Sequence, residues 1–560
     1  MRAAWSHCIP IETFHLMWKT RERRLPTRFI ELAGEICVGI APQCLLRDQG
    51  GCYIKIMSWK SHILLLVGIS LRLILVCHPP VEDNSWIRQT QTADAIASWV
   101  EESPLALSAR ASWRGDLNAR LLLELPIYNL MVWGPAKLGV SLDVAGRLVS
   151  MLLWVAGFLL LQRLWIRWLD ERETFWANFL FVFSPLSVAF GQAIMPEMLV
   201  QILVIGMVLL AVRYGERPRV GIWWAMVGLG LVGCLLKLPE VSHIYLLFAV
   251  ALDWPQRWKG LFAPRVLLGG LLTLAGLSLW GALTNQMNGE WFAEWNSSSN
   301  LKSFLGDLDG RLSLRNWTKF VAYQLLLLAS PVVWLAIARG WKDIKASLGQ
   351  NRWMLAWWVG LGGFVLLWGG PTCMAHAYYN LPFLIPVCWA FGQAMGCDFW
   401  HIRPAARKWV GAGVLAVTLP MTAYLLRPDP ILVETTKWMK QNIPKGDLVI
   451  IKANHSVYTR EYPQDPGFSY LSGRGVWIWT KFLPPAEQER AVQTARWIVE
   501  THPLSKDYWW EVLRKKIKQH ERAPEDISLL LKETRASRVK DDPAFTAYKT
   551  HGKQKLFSAP

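Results

Sequence analysis

Five polar islands interrupt an otherwise apolar chain, and each carries groups able to move a proton or hold a phosphate. The first is PVEDNSWIRQTQTADAIASWVEE, Pro80 to Glu102, with Glu82 and Asp83 side by side and Arg88 and Gln91 just beyond. In the second, LLLELPIYNL, Glu124 stands among leucines before Pro126. The third, GQAIMPEMLV, puts Glu197 behind Pro196. LLKLPEVSH supplies Lys237 and Glu240, and PTCMAHAYYNLPFLIP supplies His376, Tyr378 and Tyr379. A carboxylate can take the proton of an attacking hydroxyl, and cationic side chains hold phosphate oxygens through charge-assisted hydrogen bonds. Ionisable groups inside apolar runs are costly unless partnered or used. Together the set suits a water-facing cavity for an anionic lipid-phosphate donor.

Each member also has a plainer reading. Asp83 or Asn84 would cap a helix whose one face is marked by Trp86, Thr90, Ala93, Ala97 and Val100. That helix is expected to lie along the membrane surface with its apolar side inward. Lys237 would snorkel to the interface, and Tyr378 and Tyr379 would join an aromatic belt. His376 would cap or snorkel. What these readings leave over is that all five islands open on one side of the membrane under the topology below.

Positioning such residues falls to apolar helices. The 560 residues are 52% hydrophobic and only 18% charged, with 34 tryptophans, and the mean hydropathy is +0.21. This is the composition of a polytopic α-helical membrane protein. Apolar runs mark about eleven spans, at 61–78, 144–163, 176–190, 197–213, 220–236, 240–253, 266–284, 317–338, 353–369, 377–396 and 408–426. With the N-terminus cytoplasmic, the inner loops collect Arg163, Arg167 and Arg172, then Arg213, Arg217 and Arg219, and further clusters to Arg407 and Lys408. The short outer loops at 191–196 and 371–376 have no Lys or Arg, as the positive-inside bias requires. The same clustering in short loops accounts for the net charge of +18 and argues against a nucleic-acid partner.

Three domains follow: an N-terminal tail or over-extended start at 1–56, a membrane domain at 57–427 whose first outer loop is 79–143, and an outer α/β domain at 428–560. The run DLVIIKAN reads as a strand of that last domain. Gly228 to Gly233 matches a dinucleotide fingerprint but lies inside a span, where close helix packing explains it. The nine cysteines form no CxxC pair and no zinc-like spacing.

The order SWIRQTQTADAIA, LELPIYNLMVWGPAKLGVSLDVAGRLVS, FSPLSVAFGQAIMPEML, a lysine before proline and HAYYNLPFLIP resembles the bacterial membrane glycosyltransferases of the GT-C superfamily. These are related to protein O-mannosyltransferases and the lipid A aminoarabinose transferase, glycosyltransferase family 39 and its neighbours. The resemblance covers roughly 57–430 and implies a GT-C-like fold, a polyprenyl-phosphate sugar donor, and inverting transfer to a lipid, glycan or protein acceptor on the periplasmic side of a bacterial inner membrane. It makes Asp83 the candidate general base, with Glu82 as rival, because many relatives carry Asp-Glu where this chain has Glu82-Asp83. Glu124 falls on a family acid before the loop proline. Glu197, Lys237, His376, Arg88, Gln91, Tyr378 and Tyr379 fall where donor contacts are expected. Relatives divide over a divalent cation, so no cofactor is assigned. The oligosaccharyltransferase motif WWDYG is absent; WWEVL at Trp509 is a poor match. A secondary transporter and a lipid-linked polysaccharide ligase are the rival readings.

Overall fold

The computed structural model describes residues 58–82, 86–104, 107–117, 119–122, 124–245, 247, 262–288, 308–368, 376–397, 404–453, 466–480, 483–502, 531, 534 and 536–550. The expectations for 1–56, for Asp83 and for the charged stretch at 507–520 lie outside these residues.

Helices dominate the first three quarters of the chain. They are α1 (Trp59–Leu73), α2 (Trp86–Glu101), α3 (Ile127–Lys137), α4 (Leu142–Trp168), α5 (Glu171–Phe183), α6 (Glu197–Glu216), α7 (Val220–Ser242), α8 (Pro264–Asn288), α9 (Arg352–Trp368), α10 (Leu384–Gly396) and α11 (Pro404–Leu425). Shorter helices fill the gap between α8 and α9. The sequence sets several boundaries. Asp170 and Glu173 form a reciprocal capping box that starts α5, with the Glu173 N–H donating to Asp170 Oδ1 at 2.7 Å and the Asp170 N–H to Glu173 Oε2 at 2.8 Å. Pro185 follows its end, since proline has no N–H for the next helical bond.

Among the described residues four helices, α4, α6, α7 and α8, are long and apolar enough to cross a membrane. A bent pair, Leu314–Leu328 with Pro331–Arg339 at 91°, would make a fifth. The protein is thus a multi-pass membrane protein, with fewer full-length spans among the described residues than the eleven apolar runs. Several runs are divided. The run at 176–190 breaks at Ser184–Pro185, leaving α5 with 13 residues, and α9 has 17, both short of the ~20 that a crossing needs. α6 is buried over 67% of its most apolar window and α8 over 6%, so α6 stands inside the bundle and α8 faces lipid.

Two polar networks inside the bundle are bonded internally. Arg72 donates to Gly68 O at 2.9 Å and Ser187 O at 2.8 Å, and lies over the Trp154 ring at 3.6 Å. Gln162, Asn178 and Ser61 form a second chain of hydrogen bonds.

At one end of the bundle stands a five-stranded sheet. Its strands are β3 (Val449–Ala453), β4 (Val476–Ile478), β5 (Trp497–Thr501), β6 (Ser537–Asp541) and β7 (Phe545–Lys549), in the order β4-β3-β5-β7-β6. β3 runs parallel to β4 and β5, while β7 pairs antiparallel with β5 and β6. All five residues of β3 are buried, because both faces are covered. Leu432 and Met439 of α12 (Pro430–Asn442) pack on Val449 and Ile451; Ala491 and Ala495 pack on Ile450 and Ile498.

The first outer loop joins sheet to bundle. It holds a small ribbon, β1 (Ala109–Arg110) with β2 (Arg120–Leu121), and Ala111, Trp113 and Leu121 enter the sheet's core. Gly115 is at φ +56, and a Cβ there would lie 2.0 Å from the Trp477 ring, so both backbone angle and space demand glycine. α2 is more enclosed than a surface helix. Gln89, Thr90, Asp94, Ile96 and Trp99 are all buried, since helix Gly467–Ser472 and the bundle pack on different sides of it.

Candidate functional site

The polar islands meet at the end of the bundle that faces the sheet, and they form two clusters. The first is built on Arg147 of α4. Its guanidinium donates to Glu82 Oε1 at 2.6 Å, to His78 O at 2.8 Å, to Pro79 O at 3.0 Å and to Gln192 O at 3.4 Å. The second Glu82 oxygen accepts from Gln89 Nε2 at 2.8 Å, and Gln89 Oε1 accepts the Ile194 N–H at 3.0 Å. Side-chain exposure is 0% for Arg147 and 4% for Glu82. Glu82 is therefore held on both oxygens and withdrawn from any open surface. Asp83, the next residue, lies outside the described residues.

The second cluster centres on Lys237 of α7. Here the helix breaks: Lys237 has φ −156 and ψ 85, two residues before Pro239. Proline cannot donate the bond that Leu235 O would accept within a regular helix. That carbonyl instead accepts the Leu125 N–H at 3.1 Å, which fixes the Glu124 loop against the break. The break also turns Lys237 inward. Its Nζ lies 2.5 Å from Glu197 Oε1 and 3.3 Å from Glu240 Oε1, with side-chain exposures of 6%, 0% and 0%. It sits 4.3 Å from the centre of the Tyr378 ring and 5.9 Å from that of Tyr379, within cation–π range. His376 stacks on Tyr378 at 5.2 Å between ring centres. Glu124 accepts from Arg88 Nη2 at 2.5 Å, and Arg88 Nη1 donates to Gln91 Oε1 at 2.9 Å; this pair is 21% and 28% exposed.

The chemical contrast lies in satisfaction. Glu197 Oε2 and both Glu240 oxygens accept no hydrogen bond, and both amide atoms of buried Gln192 have no partner. Two carboxylates share one ammonium in a buried site, and buried charge is expensive unless it is fully paired. Such a site is built to take a proton, water or a ligand. Among the described residues no three His, Cys, Asp or Glu side chains group as metal ligands.

No protein-family model and no curated protein matches this sequence. Solved structures do. The lipid A transferase ArnT from Cupriavidus metallidurans, bound to undecaprenyl phosphate, superposes with a TM-score of 0.57 at 11% identity, over 87% of this chain and 97% of that one. Its apo state superposes at 0.52 with the same coverage. The chain has the GT-C fold. Within this GT-C fold the structure brings Arg88, Gln91 and Glu124 into the same neighbourhood as Glu197, Lys237, His376, Tyr378 and Tyr379, at the break in α7. It draws Glu82 away into the Arg147 cluster.

Two residues of these clusters escaped the sequence reading. Arg147 had a usable signal, a guanidinium in DVAGRLVSMLL a few residues into an apolar run, where charge needs a reason. Gln192 had none, since an amide beside a glycine reads as loop.

Proposed function

We propose that this protein is a membrane glycosyltransferase. It moves a sugar from a polyprenyl-phosphate donor to a lipid, glycan or protein acceptor, with inversion at the anomeric carbon. The observation that carries this reading is Lys237, an ammonium turned into a buried cluster by a break in α7, beside the Arg88–Glu124 pair and beneath the outer loop. In the reaction, the acceptor hydroxyl gives its proton to Asp83 and its oxygen attacks the anomeric carbon. The bond from that carbon to the phosphate oxygen breaks, and the leaving phosphate's charge is held by Lys237 and Arg88. Glu82, fixed on Arg147, leaves the role of base to Asp83. Glu197, Glu240, His376, Tyr378 and Tyr379 keep Lys237 in place and shape the donor pocket.

In this reading the chain crosses a bacterial inner membrane about eleven times, with its basic loops cytoplasmic. Residues 57–427 form the catalytic membrane domain and 428–560 an α/β domain on the periplasmic side. The test is transfer of labelled sugar from a polyprenyl-phosphate donor by the purified full chain, beside Asp83→Asn. Loss of ~10²–10⁴-fold in the variant is expected for a removed general base. A folded, fully active Asp83→Asn protein would sink the assignment of the base. A wild type that binds no polyprenyl phosphate would sink the donor.

A further inference from the structure

Lys237 is shared by two carboxylates that hold it unequally. Its Nζ lies 2.5 Å from Glu197 Oε1 but 3.3 Å from Glu240 Oε1. Glu240 sits just past Pro239, beyond the break in α7. It is 0% exposed, and neither of its oxygens accepts a hydrogen bond. Lys237 is its one ion-pair partner among the described residues. The more open side of the cluster is the Arg88–Glu124 pair, so an incoming phosphate approaches from there.

The charged and titratable groups around Glu240 come from every side of α7. Lys237 lies on the same helix and His243 at its end, Glu197 comes from α6, Glu124 from the loop before α3, and Tyr378 from the turn Ala377–Phe383. His376 and Tyr379 pack on Tyr378. Arg88 of α2 is spent on Glu124 and Gln91. The charged residues of α8 and α9, Arg265 and Arg352, stand at the other end of the bundle. Arg265 donates to the Tyr214 hydroxyl at 2.7 Å, and Arg352 lies against Gly215. Both of those neighbours are ~26 Å along α6 from Glu197 at 1.5 Å per residue. A phosphate entering the cluster thus meets three carboxylates, Glu124, Glu197 and Glu240, and two cations already paired to them.

An ammonium has three N–H donors. Glu197 holds the closest, the Tyr378 ring lies 4.3 Å away, and Glu240 has the loosest hold. A phosphate oxygen bonds an ammonium strongly and displaces the loosest partner first. Glu240 is then a buried carboxylate with neither counter-charge nor hydrogen bond, a setting that favours its neutral form. Resting on the reading of Lys237 as the contact for the donor's phosphate, we propose that Glu240 yields Lys237 to that phosphate and takes a proton from solvent as it does so. Lys237 keeps its own proton throughout. Donor binding and proton uptake are one event, and the negative charge brought in by the phosphate is cancelled where it is buried. When the polyprenyl phosphate leaves, Lys237 returns to Glu240 and the proton goes back to solvent.

The test measures binding of the methyl diester of undecaprenyl phosphate to the purified full chain in detergent between pH 6 and 9. A diester keeps one charge across that range, whereas a monoester adds its own ionisation at about pH 6. Affinity is expected to fall as pH rises, approaching about tenfold per unit where the empty site has lost the proton. Calorimetry at pH 9 in buffers of different ionisation enthalpy is expected to show uptake approaching one proton per site. Glu240→Gln is expected to bind without the slope and without proton uptake. Glu197→Gln, which leaves Glu240 in place, is expected to keep both, and it carries the assignment if Glu240→Gln fails to fold. Binding that is level across the range with no proton uptake overturns the inference and leaves the donor reading standing. A slope that survives in Glu240→Gln, or that vanishes in Glu197→Gln, overturns the inference as well. A wild type that binds no diester at any pH sinks the donor reading itself, and this inference with it.

Discussion

Arg147 and Lys237 are both cations buried among membrane helices, but their surroundings are built in opposite ways. Arg147 spends its guanidinium on one carboxylate and three backbone carbonyls, and Glu82 has both oxygens occupied in return. Lys237 faces two carboxylates, three of whose four oxygens accept no hydrogen bond. The first arrangement is closed and stitches α1's exit, α2 and α4 together. The second is held short of satisfaction by a break in its own helix. A satisfied buried network specifies structure, whereas an unsatisfied one marks where something else must enter. Arg147→Met is the sharpest way to break this contrast. Removing one partner of a buried pair costs about 3–5 kcal/mol, enough to unfold a marginal protein. The expected outcome is loss of a cooperative melt and of monodisperse elution in detergent. A well-folded Arg147→Met protein would show that the two clusters do not differ in kind.

Lys237→Met tests the other side. The two carboxylates left behind can share a proton or admit water, and the loop stays pinned by Leu125 on Leu235 O. Melting is therefore expected to shift by a few degrees at most, while polyprenyl-phosphate binding and transfer fall by ~10²-fold, as for a lost charge-assisted contact of ~3 kcal/mol. Melting that collapses as in Arg147→Met, with donor binding intact in the surviving fraction, would make Lys237 a structural cation.

Much of this was legible in the residues. α4, α6, α7 and α8 stood out as apolar runs, because in lipid the backbone leaves little choice but a long helix. DLVIIKAN announced β3, a short β-branched run between turn residues. The polar islands flagged Glu124, Glu197, Lys237 and Tyr378 because charge in an apolar run needs a reason. Pairing was not legible. That Arg147 takes Glu82, 65 residues away, or that Leu125 fills the carbonyl freed by Pro239, depends on tertiary approach that no local pattern encodes. The same holds for α2. Its helical face was readable, but Gln89 and Asp94 lie buried by tertiary contacts, Gln89 with Glu82 and Ile194 and Asp94 with Ser112 of the outer loop.

Asp94 sharpens the contrast with a carboxyl that is buried yet forms no ion pair among the described residues. Burial raises it from the usual aspartate range to about 7, against the hydrogen bonds from Ser112 Oγ at 2.5 Å and Ser112 N–H at 3.2 Å that favour its charged form. Between roughly pH 4 and 7 the folded protein holds a proton that the unfolded chain has released. Stability therefore falls as pH rises through that window, by about 1.4 kcal/mol per unit, and is level above it. Asp94→Asn is expected to remove this slope from melting temperatures taken between pH 4 and 8. An unchanged slope would assign it to other groups.

The smallest effect is expected at the seam between outer loop and sheet. Arg114 reaches Glu487 there, with 4% and 14% of the side chains exposed, while Arg490 holds Asp116 by two bonds of 2.9 Å at 48% and 33% exposure. Geometry alone would favour the second pair, which is the better fork. Solvent decides otherwise, because exposed pairs lose most of their Coulomb energy to water and salt. Arg490→Ala is expected to leave the melting temperature where it was, at low and high salt alike. A clear, salt-dependent drop would mean that this surface fork helps to clamp the sheet over the loop. The seam would then depend on its rim as well as on the buried contacts of Arg114 and Trp477.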